Sequence, residues 1–138
     1  LRQAVDEMAD ALSDVDYDIV VAPESRGFIF GMPIAYNKCK GFVPIRKKGK
    51  LPAETVSKEY ALEYGTATIE MHVDALQKGQ KVVILDDLLA TGGTAKAMIE
   101  LVESVGAEVA GLCFLIELED LKGRDVLKGY NVKSILKY

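Results

Sequence analysis

An α/β fold, with a central and mainly parallel sheet flanked by helices, is what this sequence predicts, on three observations. Short β-branched apolar runs alternate along the chain with stretches of helical periodicity. The runs are apolar at nearly every position, the pattern of strands covered on both faces. The 138 residues, 49% hydrophobic and 28% charged, suit one domain with a core of its own, and residues 1–138 are read as that domain.

The elements follow in order. Leu1, Val5, Met8 and Leu12 recur at spacings of four, three and four, which places them on one helical face. Tyr17 to Ala22 (YDIVVA) is a β-branched strand halted by Pro23. After the PESRG turn, residues 28–38 read as a short helix that Pro33 either kinks or opens. Phe42 to Ile45 is the next strand. Gly49, Pro52 and Gly65 then punctuate residues 47–72, where Thr66 to Met71 (TATIEM) alternates between polar and apolar. This is a long loop or hairpin excursion, and excursions of that length in compact domains commonly act as lids. Lys81 to Leu85 (KVVIL) is the firmest buried strand and ends at Asp86-Asp87. Met98, Ile99, Val102 and Val105 mark a helix from Thr94 to Val105, with Gly106 as its stop. Val109 to Leu115 and Val132 to Leu136 supply the last two strands.

Composition narrows the function classes. Ser25 to Ala53 holds seven basic residues and no acid, so this stretch carries +7 and the remainder −11 within a net charge of −4. One region is built to meet an anion, while the acidic remainder argues against a general nucleic-acid binder and for a small polyanion. Charges interrupt every hydrophobic stretch, so no membrane span or secretory leader is read. Cys39 and Cys113 stand far apart with no metal-ligand spacing, and a reducing cytoplasm is the default expectation. His72, the only histidine, has neither a serine elbow nor a metal-binding partner in sequence and reads as structural. Phe28, Phe30 and Met98 read as core.

The chemistry concentrates in Val82 to Ala95 (VVILDDLLATGGTA). An apolar strand meets two carboxylates, then a loop with two glycines and flanking threonines, then a helix. In an open α/β sheet, ligands bind at the carboxyl ends of the strands. A helix start offers free N–H groups and a positive dipole end, so Thr91-Gly92-Gly93-Thr94 can wrap a phosphate monoester. A Walker B strand has a similar look, but the GxxxxGK(S/T) loop that it requires is absent, as is a GxGxxG fingerprint. Adjacent aspartates about one sugar's length from a phosphate could accept hydrogen bonds from vicinal hydroxyls and stabilise positive charge on a ribose ring. A phosphorylated pentose is the natural occupant.

These residues resemble the phosphoribosyl pyrophosphate motif of the type I phosphoribosyltransferases, and DDLLATGGT is similar to the wording of the adenine-using members. PESRGFIFG (Pro23 to Gly31), RKKGKLP (Arg46 to Pro52) and LEYGT (Leu62 to Thr66) resemble the corresponding segments in the same order, so the likeness covers nearly the whole chain. The resemblance implies roles. Ala90, Thr91, Gly92, Gly93 and Thr94 would hold the 5-phosphate. Glu24, Ser25, Arg26 and Gly27 would form the pyrophosphate loop, which in this family often contains a strained non-proline peptide bond. Lys50 would approach the pyrophosphate, with Lys47 and Lys48 raising the local potential. Residues from about Pro52 to Glu63, within a flap region of about 50–70, would form a flexible lid that excludes water. Glu63 would hold or donate a proton at the purine imidazole ring, and Tyr64 would steady the closed lid.

By the same resemblance, the reaction is transfer of a phosphoribosyl group from phosphoribosyl pyrophosphate to N9 of adenine, giving AMP and pyrophosphate in purine salvage. Asp86 and Asp87 would act on the ribose and on Mg²⁺, directly or through water, as that ion bridges pyrophosphate and ribose oxygens. The family also implies a homodimer, with no nucleic-acid or membrane partner, and an N-terminal hood ahead of the first helix. Several dozen hood residues are expected to be missing from this chain. A transferase for another purine such as xanthine, and a regulator that senses phosphoribosyl pyrophosphate on the same fold, are the alternatives.

Overall fold

The computed structural model describes residues 1–62 and 64–138. The element order is α1 (Arg2–Ala11), β1 (Ile19–Pro23), α2 (Arg26–Asn37), β2 (Gly41–Lys47), β3 (Thr55–Ala61), β4 (Thr66–His72), β5 (Lys81–Leu89), α3 (Gly93–Ser104), β6 (Glu108–Glu117) and β7 (Val132–Lys137), with short 3-10 turns over Glu119–Leu121 and Gly123–Leu127. The seven strands form one sheet in the order β3-β4-β2-β1-β5-β6-β7. The five from β2 to β7 are parallel, and the β3-β4 hairpin joins their edge antiparallel. The α/β expectation, with its mainly parallel sheet and flanking helices, is therefore met.

Alternation along β5 explains its continuous apolar run. Val82 and Ile84 face a core shared with Met98, Leu101 and Val102 of α3. Val83 and Leu85 face the other side, against Val5, Met8 and Leu12 near α1 and Ile34 and Ala35 of α2. A strand buried on both faces leaves no position for a polar residue until it leaves the core.

The hairpin expected within residues 47–72 is present, and two boundaries differ from the sequence reading. The excursion over residues 47–72 resolves into the β3-β4 hairpin, whose strands pair from Thr55↔His72 to Ala61↔Thr66. α2 begins at Arg26 rather than 28 and runs through Pro33, which lies inside the helix and not in its first turn. β5 extends through Asp86-Asp87 to Leu89, because Asp86, Leu88 and Leu89 still pair with Phe114, Ile116 and Glu117 of β6. The two carboxylates thus sit within the strand instead of beyond its end. Met98 is fully buried, and Phe28 packs edge-on against Phe42 at 5.8 Å between ring centroids. His72 closes β4 with Nε2 buried and unpartnered among the described residues.

Candidate active site

At the carboxyl end of β5 the chain turns through Ala90-Thr91-Gly92 and enters α3 at Gly93. Gly92 has φ +86°, a left-handed conformation that glycine adopts without the steric cost other residues meet. It is the N-cap of α3, and no side chain caps the helix among the described residues. The first-turn amides, which have no acceptor within the helix, are left for an external anion. Residues 86–95 line a cavity of about 200 Å³ that Arg26 and Phe114 complete.

The two aspartates have different surroundings. Burial pushes the Asp86 carboxyl up to about 8, with the neighbouring Asp87 side chain acting in the same direction. Asp86 Oδ1 also accepts the Asp87 N–H at 2.8 Å. Asp87 is ion-paired with Arg26 Nε through Oδ2. Gly27 lets the start of α2 lie against Pro23 and Asp86, since a Cβ there would stand 2.6 Å from Pro23 Cδ and 3.1 Å from Asp86 Oδ1.

A second cavity, of about 310 Å³, adjoins the first and shares Arg26, Asp86, Asp87 and Thr94 with it. Its other walls are Pro23, Glu24, Ser25, Lys47 and Tyr60. The Glu24–Ser25 peptide bond is cis. Glu24 accepts the Lys47 N–H at 2.7 Å and pairs with Lys50 Nζ at 3.3 Å and Arg46 Nε at 3.4 Å, which ties the basic loop after β2 to the turn before α2. Lys50 therefore stands one carboxylate away from the cavity wall. Tyr64 is 88% exposed in the hairpin turn and lines neither cavity. Glu63 lies outside the described residues.

Several residues around the site escape a sequence reading. Tyr60 lies over the start of α3, where its hydroxyl accepts from Thr94 Oγ1 at 3.3 Å, and Lys58 on the same strand pairs with Glu100 of α3 at 2.7 Å. The 3-10 segment Gly123–Leu127 packs behind the loop. A Cβ on Gly92 would fall 2.7 Å from Gly123 O, and one on Gly123 would fall 2.8 Å from Leu89 Cδ1 and closer still to Ala90 O. Arg124 anchors the segment by donating to Glu117 Oε1 at 2.8 Å, Glu117 Oε2 at 2.9 Å, Ser134 Oγ at 2.9 Å and Val132 O at 2.8 Å. The Arg124 bond holds the Glu117 carboxyl below the usual carboxylate range.

A model of the phosphoribosyl transferase domain matches residues 2–137. The chain belongs to the phosphoribosyltransferase family. An adenine phosphoribosyltransferase from Lachnoclostridium phytofermentans is 61% identical over 138 residues, which is 100% of this chain and 79% of that protein. The crystal structure of adenine phosphoribosyltransferase from Thermoanaerobacter pseudethanolicus superposes with a TM-score of 0.97 at 53% identity, covering 99% of this chain and 80% of the other. That from Saccharomyces cerevisiae, complexed with an imino-altritol bisphosphate and adenine, gives a TM-score of 0.89 at 40% identity over 97% of this chain and 78% of the other. Within this phosphoribosyltransferase the donor set suits a hard cation with few protein ligands. Asp86 and Asp87 are adjacent carboxylates, and no group of three or more His, Cys, Asp or Glu is poised to hold a metal among the described residues. Mg²⁺, which keeps several waters and leans on substrate phosphates, fits that pair.

Proposed function

We propose that this chain is an adenine phosphoribosyltransferase of purine salvage, converting adenine and phosphoribosyl pyrophosphate to AMP and pyrophosphate. The observation that carries this reading is the single wall formed by Asp86, Asp87 and the 90–94 loop, with Arg26 across from it at the junction of two cavities. The smaller cavity takes the 5-phosphate on the first-turn amides of α3 and the Thr91 and Thr94 hydroxyls. The larger takes the diphosphate, held by Arg26, Lys50 and the backbone from Glu24 to Gly27. The ribose lies between them against the aspartates.

Departure of pyrophosphate leaves positive charge on the ribose ring, and the negative charge of the Asp86-Asp87 pair would stabilise it. Arg26 turns from Asp87 to the diphosphate when phosphoribosyl pyrophosphate binds, which frees the Asp87 carboxylate for the ribose before the charge develops. Asp86 and Asp87 would hold Mg²⁺, directly or through water, and the ion would supply neutralisation of phosphate charge there. The β3-β4 hairpin acts as the flap, with Glu63 serving the purine nitrogen and Tyr64 closing over it. Water exclusion by that flap protects the activated sugar from hydrolysis.

α2 turns an apolar stripe outward at Ile29, Met32 and Tyr36, which are 49%, 51% and 80% exposed. Exposed apolar patches mark contact surfaces, and a homodimer through this helix is the assembly we assign. Among the described residues no helix is long and apolar enough to cross a membrane; the small-molecule substrates of the proposed reaction support a cytoplasmic enzyme.

Pyrophosphate release with Mg²⁺ and phosphoribosyl pyrophosphate, measured separately with adenine, hypoxanthine, guanine and xanthine, tests this reading. Turnover restricted to adenine supports it. Preference for xanthine overturns the base assignment, and ligand binding without turnover on any purine overturns the enzyme.

A further inference from the structure

β2 ends at Lys47 and β3 begins at Thr55, yet β4 lies between them in the sheet. The intervening residues 48–54 therefore cross over β4. Glu70 sits under that crossing, at the β4 position that pairs with Arg46 on one side and Ser57 on the other. It is only 9% exposed, and a carboxylate placed there must have its oxygens satisfied. Both are: one accepts the Gly49 N–H at 2.6 Å and the other accepts the Thr55 hydroxyl at 2.7 Å. A single side chain thus grips the crossing at its two ends. Backbone bonds at the same ends, Lys48 N to Thr68 O and Val73 N to Glu54 O, each at 3.0 Å, complete the attachment.

Lys50 rides on this crossing one residue after Gly49, which has φ +87°. The turn that aims Lys50 toward Glu24 is held by Lys50 N to Lys47 O at 3.3 Å and Arg46 Nη1 to Lys50 O at 3.3 Å, both long contacts. The short bond at Gly49 is the strongest local fix on its position.

We propose that Glu70 is a positioning residue for the transferase reaction: by gripping both ends of the crossing it sets Lys50 for the diphosphate and makes the Lys50 loop and the β3-β4 hairpin move as one body. Glu70 touches no reacting atom, and its effect passes through Lys50. The inference rests on the reading of Lys50 as a pyrophosphate-binding cation.

The test is a double-mutant cycle read by calorimetric titration of Mg-pyrophosphate, with melting curves to establish folding. Lys50→Ala should weaken binding about tenfold, the scale of one lost bond to a charged group. Glu70→Ala should weaken it by a similar factor, and the double variant should be no weaker than Lys50→Ala alone. Glu70→Gln should recover most of the affinity, because its amide oxygen accepts from Gly49 while its NH₂ donates to Thr55 Oγ1. Thr55→Val removes one of the two donors, and it gives the same cycle at lower amplitude should Glu70→Ala fail to fold. Additive losses in the double variant, or wild-type affinity in a folded Glu70→Ala protein beside a weakened Lys50→Ala, overturn the role of Glu70. Wild-type affinity in Lys50→Ala overturns the reading of Lys50, and this inference with it.

Discussion

Asp87 and Glu117 show how two carboxylates on neighbouring strands come to different work. Asp87 lies on a cavity wall, and its ionic partner among the described residues, Arg26, has a side chain 70% exposed. Ion pairs that open to solvent contribute little to folding. Asp87→Asn should therefore cut turnover by about a hundredfold or more, as removal of a preorganised charge does, while moving the melting temperature little. Steady-state kinetics beside a melting curve separates the two effects. Glu117 is 4% exposed and holds Arg124 through both oxygens. Its folded pKa is depressed, so its contribution to stability is complete above the unfolded carboxylate value of about 4.3 and fades as the pH falls through the folded value. Glu117→Gln should flatten the acid limb of stability against pH, measured by urea melts at successive pH values.

Among the elements, the junction of β5 and α3 is the most constrained by its neighbours. Val82 to Ala95 carried most of what a sequence can disclose, because a buried strand, paired acids and a glycine turn occupy consecutive positions. The 3-10 segment behind the loop was not legible. Its contact with the loop joins Gly123 to Ala90 and Gly92, more than thirty residues away in sequence, and no periodicity encodes such an approach. The same holds for Tyr60, which reads as an ordinary strand aromatic until the hairpin lies over α3. The polar pair Asp86-Asp87 reads as the end of a strand, whereas pairing with β6 carries the backbone four residues past Leu85, to Leu89. Gly123→Ala would force a Cβ against Ala90 O and Leu89 Cδ1. It should cost about 1–3 kcal/mol of stability, the usual range for overpacking, and raise KM for phosphoribosyl pyrophosphate by displacing the loop, with KM for adenine less affected.

Taken as a whole, the molecule brings Arg26, Arg46, Lys47 and Lys50 of the basic stretch to the carboxyl ends of β1 and β2, beside Asp86 and Asp87 of β5, while Lys38 and Lys40 lie at the opposite end of the sheet, ahead of β2. The other consequence of scale is the α2 stripe, which a lone chain leaves uncovered. Met32→Glu should shift the sedimentation coefficient toward that of a monomer, and an unchanged value would remove α2 from the interface. The central claim is that the amides opening α3 hold a sugar phosphate, and a crystal structure with AMP bound tests it most directly. The 5-phosphate of AMP should lie within hydrogen-bond distance of the backbone N–H groups of residues 91–94, with the ribose hydroxyls on Asp86 and Asp87. A phosphate seated elsewhere, with this loop unchanged and empty, would contradict it.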